Sequence, residues 1–331
     1  MTLEVVEPGL QTTIQDAGRP NWTQLGVPVG GACDPWSLAV ANLLAGADAG
    51  AAALEMTIVG PTLRVREPTL IGLAGADLGG VVRGSGRRLE PGRTYSLAAG
   101  STIAFPGGDG AAGARSYVAL PGGVDVREIL GSRSTLLSAG FGGFEGRALR
   151  AGDLVRGSTA PDSPGRERSW PWLDFDPLAA ATGPDPITLR LVAGPADGVD
   201  PLVAGEWRVR PDSDRIGLRL EPTSDGPPLP ASGELLTHGV VRGAVQLPPG
   251  GTPLVLLADH QTTGGYPIAG VVARADHPVL GQLRPGAAVR FVAVTPDEAR
   301  RAFVEQARAL ERGAAACRAD DWDELWLSAG R

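Results

Sequence analysis

Residues 254–272 read Leu-Val-Leu-Leu-Ala-Asp-His-Gln-Thr-Thr-Gly-Gly-Tyr-Pro-Ile-Ala-Gly-Val-Val. The first five residues form an apolar run with the length of a buried strand. Five consecutive hydrogen-bonding side chains follow, from Asp259 to Thr263, and after Gly-Gly-Tyr-Pro the sequence is apolar again. The pattern predicts two strands joined by a polar loop, so we expect a chain in which short strands are the main elements.

The polar loop, residues 259–266, has two explanations that this stretch leaves open. Its glycines permit backbone conformations that other residues avoid, so the loop can approach a ligand closely. Binding groups also tend to lie on loops held by rigid strands, and packing does not require so many consecutive polar side chains. The alternative is a hairpin whose polar tip only faces water.

The remainder of the chain repeats this alternation of turns and strands. Turn sequences such as Glu90-Pro91-Gly92 and Arg284-Pro285-Gly286 lead into strand-like runs. Many short strands with turn signals roughly every 8–12 residues are typical of a barrel or sandwich. The long helical stretches of a doubly wound parallel sheet are missing. We therefore predict a mainly β fold with a few short helices, one beginning at Pro35, and a C-terminal helix beginning at Pro296.

Composition shifts suggest how the chain is divided. The stretch 158–186 is rich in Pro, Asp, Ser and Gly, although Trp170, Trp172 and Phe175 indicate that it packs on something. We predict an N-terminal half at 1–157, a linker at 158–186, a C-terminal half at 187–295 and a helical tail at 296–331.

Charge and hydropathy exclude several classes of protein. The chain has 331 residues, of which 43% are hydrophobic and 20% charged, so it can bury a substantial core. A net charge of -7 and a pI near 5.1 argue against a nucleic-acid-binding surface. No apolar run approaches the roughly 20 residues that a membrane helix needs. The first nine residues carry two acids and no basic apolar leader, so we expect no signal peptide.

The basic and thiol residues narrow the chemistry further. All 30 residues in the Lys+Arg count are arginine, which removes a Schiff-base lysine, a P-loop lysine and any lysine that could carry biotin. Chemistry with ATP or carboxybiotin would therefore need another chain. Cys33 and Cys317 lie far apart in sequence, so we expect a reduced cytoplasm, with no disulfide scaffold and no cysteine metal site.

The titratable residues supply a short set of candidates. His238, His260 and His277 have no zinc-ligand spacing, so we predict no metal site. His260, beside Asp259, is the best candidate for proton transfer because histidine titrates near neutral pH. His238 is either a second candidate or a structural histidine. His277 precedes Pro278 in what we interpret as a surface turn.

Other polar turns contain candidates for ligand contact. Arg19 and Arg215 could each clamp a carboxylate or phosphate, or pair with a neighbouring aspartate. Asp77 could bind a ligand or cap its own turn. We also include Gln15 and Asp16, from the polar run at 12–20, among the candidate substrate contacts.

Both halves of the chain contain ordered polar and glycine-containing motifs. The first half carries Ile14-Gln15-Asp16-Ala17-Gly18-Arg19-Pro20, Gly26-Val27-Pro28, Asp34-Pro35, Asn42-Leu43-Leu44, Leu54-Glu55, Gly60-Pro61 and Gly75-Ala76-Asp77. The second half carries Ser213-Asp214-Arg215-Ile216-Gly217, Gly239-Val240-Val241, Gly243-Ala244-Val245-Gln246 and Gln261-Thr262-Thr263-Gly264-Gly265-Tyr266-Pro267. In this order, from about residue 3 to 292, the motifs resemble those of the biotin-dependent carboxyltransferase-like family, which includes the C subunit of 5-oxoprolinase, KipA and the allophanate hydrolase subunit 2 type. Their number and order make chance similarity implausible.

The resemblance implies two cyclophilin-like β-barrel halves and a cytoplasmic bacterial protein. It also implies companion proteins similar to 5-oxoprolinase subunits A and B, with which such a chain opens 5-oxoproline to glutamate at the expense of ATP. On that reading, Asp259 and His260 transfer protons or polarise the substrate, and Arg215 binds an anionic group. The expected substrate contacts in the loop are Gln261, Thr262, Thr263, Gly264, Gly265 and Tyr266.

Two other functions remain open at this stage. The first is transfer of a carboxyl group from carboxybiotin on another protein to an amide or urea-type substrate. In some members of the family a basic residue follows the Tyr-Pro pair, whereas Ile268 follows Pro267 here. This difference argues against a carboxyl-transfer mechanism that needs a lysine at that position. The second is a KipA-like regulatory protein, in which the polar loop binds a small ligand without turnover and the chain antagonises a kinase inhibitor.

Overall fold

The computed structural model describes most of the chain. It covers residues 1–108, 113–158, 167–171, 176–183, 186–196, 198–223, 229 and 235–329, with side chains to residue 317 except those of 177 and 178. Trp170 is buried, and its N–H donates to the carbonyl of Gly92, so this part of the predicted linker packs as expected. Trp172 and Phe175 lie outside the described residues.

The chain folds as two compact units that do not follow the order of the sequence. The first unit contains residues 1–17, 35–176 and 306–331, and the second contains 18–34 and 177–305. These limits differ from the sequential divisions predicted above, chiefly because residues 18–34 join the second unit. Contacts between residues distant in sequence decide this assignment, and composition does not reveal them.

The described strands of the first unit form two five-stranded antiparallel sheets. One sheet has the order β10-β1-β4-β8-β6 and the other β2-β3-β9-β5-β7. The bounds are β1 Thr2–Glu7, β2 Gln11–Gln15, β3 Ala53–Thr57, β4 Thr62–Val65, β5 Thr69–Gly75, β6 Val81–Val82, β7 Arg93–Leu97, β8 Thr102–Ala104, β9 Arg115–Ala119 and β10 Leu154–Arg156. The core consists of buried aliphatic residues from both sheets, among them Leu3, Leu54 and Leu63.

Helix α1, Pro35–Leu44, lies directly on strand β5. Asp34 precedes it and Pro35 occupies its first turn, as the sequence predicts. A Cβ atom at Gly72 of β5 would collide with the carbonyl oxygen of Ala41 in the helix. Gly72 therefore permits the helix backbone to approach the sheet.

Seven of the described strands of the second unit close into a barrel with the order β11-β18-β15-β16-β13-β12-β19. Strand β11 pairs in parallel with β19, and the other neighbours are antiparallel. The bounds are β11 Ile187–Ala193, β12 Glu206–Val209, β13 Gly217–Pro222, β14 His238–Gly239, β15 Ala244–Gln246, β16 Leu254–Leu256, β17 Thr263–Gly264, β18 Ile268–Val272 and β19 Ala288–Val294. Strands β14 and β17 form a separate two-stranded ribbon. Leu191, Trp207, Val255 and Phe291 are among the buried residues of the barrel core.

The remaining helices are short except for the last. They are α2 Pro177–Ala181, α3 Val199–Ala204, α4 His277–Gln282 and α5 Pro296–Ala329. Thr295 and Glu298 form a capping box at the start of α5, because each hydrogen-bonds to the backbone N–H of the other. The helix passes through Gly313, where a Cβ atom would collide with the Trp170 ring. The mainly β class with few short helices and a C-terminal helix is confirmed.

Two features of the described residues concern membranes and metals. Among these residues, none of the helices combines the length and hydropathy that a membrane span requires. The same part of the chain contains no group of three or more His, Cys, Asp or Glu side chains placed to hold a metal ion.

Candidate functional site

The polar loop is held in place where it leaves the barrel. Strand β16 pairs with β13, and the pairing extends beyond both strands. The N–H of Leu257 donates to the carbonyl of Ile216 at 2.8 Å, and the N–H of Asp259 donates to that of Arg215 at 2.9 Å. The first residues of the loop are therefore fixed to the barrel wall, as binding groups on a rigid scaffold usually are.

Asp259 forms a buried ion pair with Arg215. The Arg215 guanidinium donates from Nε to Oδ2 at 2.8 Å and from Nη2 to Oδ1 at 3.0 Å. Both side chains are 4% exposed. The same guanidinium donates to the carbonyl of Gly31 at 2.7 Å and contacts Cys33 Sγ at 3.3 Å. Arg215, which we predicted to bind an anionic group, is instead committed to internal contacts, and both carboxylate oxygens of Asp259 accept from it.

Four further hydrogen bonds hold residues 30–34 in the second unit. The N–H of Gly30 donates to the carbonyl of Ala258 at 3.2 Å. Arg242 donates to the carbonyl of Ala32 at 3.0 Å and also to that of Cys33. Gln282 Nε2 donates to Asp34 Oδ2 at 2.6 Å. Residues 30–34, which include Gly30 and Gly31, are thus bonded to their own unit.

His260 is buried beside this ion pair, with 4% of its surface exposed. Its Nδ1 lies 2.5 Å from the carbonyl oxygen of Gln261. A carbonyl can only accept, so Nδ1 carries the proton and Nε2 is the basic nitrogen of the neutral ring. Burial lowers the pKa of His260, and the charge of Arg242 lowers it further. The hydrogen bond to Gln261 and the charge of Asp259 oppose this lowering. The ring is therefore uncharged at neutral pH, so its Nε2 can act as a base.

The rest of the loop pairs with the segment that contains His238. Strand β17 hydrogen-bonds to β14, with His238 opposite Gly264 and Gly239 opposite Thr263. Gln261 and Thr263 are exposed, whereas Thr262, Gly264, Gly265 and Tyr266 are half-buried. His238 is also half-buried, and its Nδ1 lies 3.2 Å from the carbonyl oxygen of Leu236. The structure therefore places His238 and every predicted loop residue in one part of the second unit.

The remaining candidates have other surroundings. In the first unit, Asp77 accepts from the N–H of Gly79 at 2.9 Å and from Arg88 at 2.7 Å, so it caps its own turn. Gln15 donates to the carbonyl of Thr135 at 3.2 Å. Asp16 accepts from the hydroxyl of Ser132 at 2.7 Å and from the N–H of Arg133 at 2.5 Å, and these contacts fix a loop. Arg19 belongs to the second unit and is 0% exposed.

His277 is the histidine that the sequence interpretation misplaced. It begins helix α4 and does not lie in a surface turn. Its Nε2 is buried, and a Cβ atom at Gly243 would lie 2.8 Å from it. Burial, and secondly the charge of Arg242, lower the pKa of His277 to about 3. Proline in the first turn of a helix is common, so the His-Pro pair was compatible with either structure.

The low pKa of His277 predicts acid sensitivity. The unfolded ring has a pKa of 6.5 and the folded ring about 3, so the unfolded state binds the proton first as the pH falls. His277 is neutral in both states above pH 6.5 and stays neutral in the fold down to about pH 3. Its contribution to stability is therefore lost as the pH falls from 6.5 to 3, at up to about 1.4 kcal/mol per pH unit. We expect urea unfolding of a His277→Gln variant to depend less on pH in this window than that of the wild type.

His238, which lies in the β14–β17 ribbon and outside helix α4, provides the control for this experiment. A His238→Gln variant should retain the acid sensitivity of the wild type. Equal pH dependence in His277→Gln and the wild type would contradict the assignment.

The comparisons with known proteins agree with this architecture. A family profile described as "Carboxyltransferase domain, subdomain A and B" matches residues 25–293. The chain belongs to this carboxyltransferase domain family.

Two family relatives illustrate its range. The C subunit of the Escherichia coli 5-oxoprolinase is 35% identical over 316 residues, which are 94% of this chain and 97% of the relative. Urea amidolyase of Lachancea kluyveri is 28% identical over 334 residues, which are 93% of this chain but only 18% of the relative. The relatives are thus an enzyme subunit of similar length and a much longer enzyme.

A solved structure of the family shares the fold. The crystal structure of the Kluyveromyces lactis urea carboxylase superposes with a TM-score of 0.79 at 27% identity, and the match covers 94% of this chain and 29% of that one. This similarity confirms the recognised family and its β architecture. It concerns less than a third of the urea carboxylase chain.

Proposed function

We propose that this chain is the C subunit of an ATP-dependent 5-oxoprolinase, which opens 5-oxoproline to glutamate together with companions similar to subunits A and B. The observation that carries the proposal is the end-to-end similarity to a protein of that name, 35% identical over 94% of this chain and 97% of the relative. The hydrogen bond between His260 Nδ1 and the carbonyl oxygen of Gln261 supports it, because this bond leaves Nε2 as the basic nitrogen of the ring. The proposed location is the cytoplasm.

The reaction adds water across the amide bond of a five-membered lactam. The C–N bond breaks, the carbonyl carbon becomes a carboxylate, and the ring nitrogen takes a proton. In our proposal His260 Nε2 accepts the proton of the attacking water, because this nitrogen is the basic one in the neutral ring. Asp259 and Arg215 keep the loop backbone in place, so their role is positional.

We assign ATP binding to a companion protein. The chain has no lysine and therefore no P-loop lysine, and Gly30 and Gly31 are hydrogen-bonded within the second unit. ATP supplies the driving force for opening an unstrained amide.

Reconstitution tests the proposal. The chain is mixed with purified proteins similar to subunits A and B, and glutamate formation from 5-oxoproline is measured together with ADP release. We expect turnover only when this chain is present. Equal turnover without the chain would contradict the proposal.

The second candidate is carboxyl transfer from carboxybiotin on another protein to an amide or urea-type acceptor. The family description and the similarity to a urea carboxylase structure favour it. Labelled bicarbonate passing to the acceptor, with no glutamate formed, would establish this function. A stable complex without either activity would instead indicate a regulatory binding protein.

A further inference from the structure

Gln246 is a polar residue in an apolar wall of the barrel. It ends strand β15, and its neighbours Ala244, Val245 and Leu247 are apolar and buried. Gln246 itself is 0% exposed. Burying an amide in such surroundings is unfavourable unless its hydrogen bonds are satisfied, so the direction of this side chain matters.

The Gln246 side chain hydrogen-bonds to the polar loop, beside an irregularity in the sheet. The pairing of β15 with β18 shifts between Val245 and Gln246, which marks a bulge or irregularity. Such irregularities are common next to binding sites. Gln246 Oε1 accepts from Gln261 Nε2 at 3.2 Å. The buried amide on the rigid strand thus reaches the exposed amide on the loop.

Gly264 completes the arrangement from the other side. A Cβ atom there would lie 2.7 Å from Gln246 Nε2 and 3.7 Å from Gln261 Nε2. Both amides therefore pack against the backbone of the same loop residue, and a larger residue would displace them. Gln246 Nε2 is buried and makes no hydrogen bond to any described residue.

We propose that Gln246 is a positioning residue that acts through Gln261. It holds Nε2 of Gln261 against the barrel, which leaves Oε1 of Gln261 as the acceptor for an N–H of the substrate. The chemical class that matches this acceptor is an amide or lactam with an N–H group. This inference rests on the proposed function for the identity of the substrate, but the coupling between the two glutamines does not.

A Gln246→Met variant separates positioning from packing. Methionine has a similar length and removes both polar atoms, including the buried Nε2 without a partner. A residue with only a structural role would lose stability when replaced, whereas here the unfolding midpoint should be unchanged or higher. In the reconstituted complex we expect KM for 5-oxoproline to rise by about 3–10-fold, the value of one hydrogen bond, with kcat nearly unchanged.

A double-mutant cycle tests whether Gln246 acts through Gln261. Gln261→Met should raise KM similarly, and adding Gln246→Met to it should change KM no further. Gln282→Met is the matched control, because Gln282 is another buried glutamine of the second unit and donates to Asp34. It should lower the unfolding midpoint without changing KM. Additive effects of the two loop-facing variants would overturn the proposal.

A measurement on the isolated chain keeps this inference distinct from the proposed function. The side-chain amide signals of Gln261 in a ¹⁵N spectrum should show restricted exchange in the wild type and become those of an exposed glutamine in Gln246→Met. Unchanged signals would overturn the positioning role whatever the substrate is. If the wild-type mixture does not open 5-oxoproline but the Gln261 signals change as expected, the proposed function fails and the positioning role stands.

Discussion

Replacing Asp259 by alanine is expected to lower the free energy of unfolding by about 3–5 kcal/mol, because it leaves the Arg215 guanidinium buried without a counter-charge. Both side chains are 4% exposed, and the carboxylate accepts two hydrogen bonds from the guanidinium. Denaturant unfolding followed by circular dichroism measures the effect. This is the largest loss of stability that we expect from a single substitution in the loop.

Two further variants show whether charge burial is the cause. Asp212 pairs with Arg210 at 2.9 Å, and both side chains are more than a third exposed. Asp212→Ala should therefore leave the unfolding midpoint nearly unchanged. A double variant, Arg215→Met with Asp259→Leu, should be much more stable than Asp259→Ala because no unpaired charge remains. If Asp259→Ala is as mild as Asp212→Ala, the ion pair is not a major determinant of stability.

The second large effect is expected at His260. In the reconstituted complex, His260→Gln should lower kcat by about 10²–10⁴-fold, the usual contribution of a general base. Burial lowers the pKa of the ring below 6.5, so the wild-type kcat should be constant above that pH and fall only in more acidic solution. The variant should lose this acidic limb, and a pH–rate profile measures both effects.

His277→Gln is the matched control for His260→Gln. It removes another histidine of the second unit that begins α4 and lies outside the polar loop. At a pH of about 7.5, above the ordinary pKa of histidine, we expect it to retain the wild-type kcat. A folded His260→Gln variant with unchanged kcat would remove His260 from the chemistry.

Local patterns in the sequence predicted the elements around the loop well. The apolar runs on either side became β16 and β18, because alternation of polar and apolar segments reflects burial within a few residues. The capped start of α5 was equally local. The C-terminal helix predicted to begin at Pro296 is α5, which continues to Ala329.

The partners of the polar residues could not be read from local patterns. Arg215 was expected either to bind an anion or to pair with a neighbouring aspartate, whereas its partner Asp259 is 44 residues away. The register of β13 against β16 brings them together, and a single sequence contains no direct signal for that register. Gln246 was overlooked for the same reason, since its significance depends on a strand irregularity and on the position of Gly264.

The parallel pairing of β11 with β19 has a consequence for biosynthesis. Strand β11, the first of the barrel in sequence, pairs with β19, the last, from Ile187 opposite Val289 to Val192 opposite Val294. During translation the ring of strands stays open until residue 294 has left the ribosome, and pairing of such distant segments is intrinsically slow. The early segment at 30–34, which is anchored by Arg215, Arg242 and Gln282, must therefore wait for most of the polypeptide before it can dock.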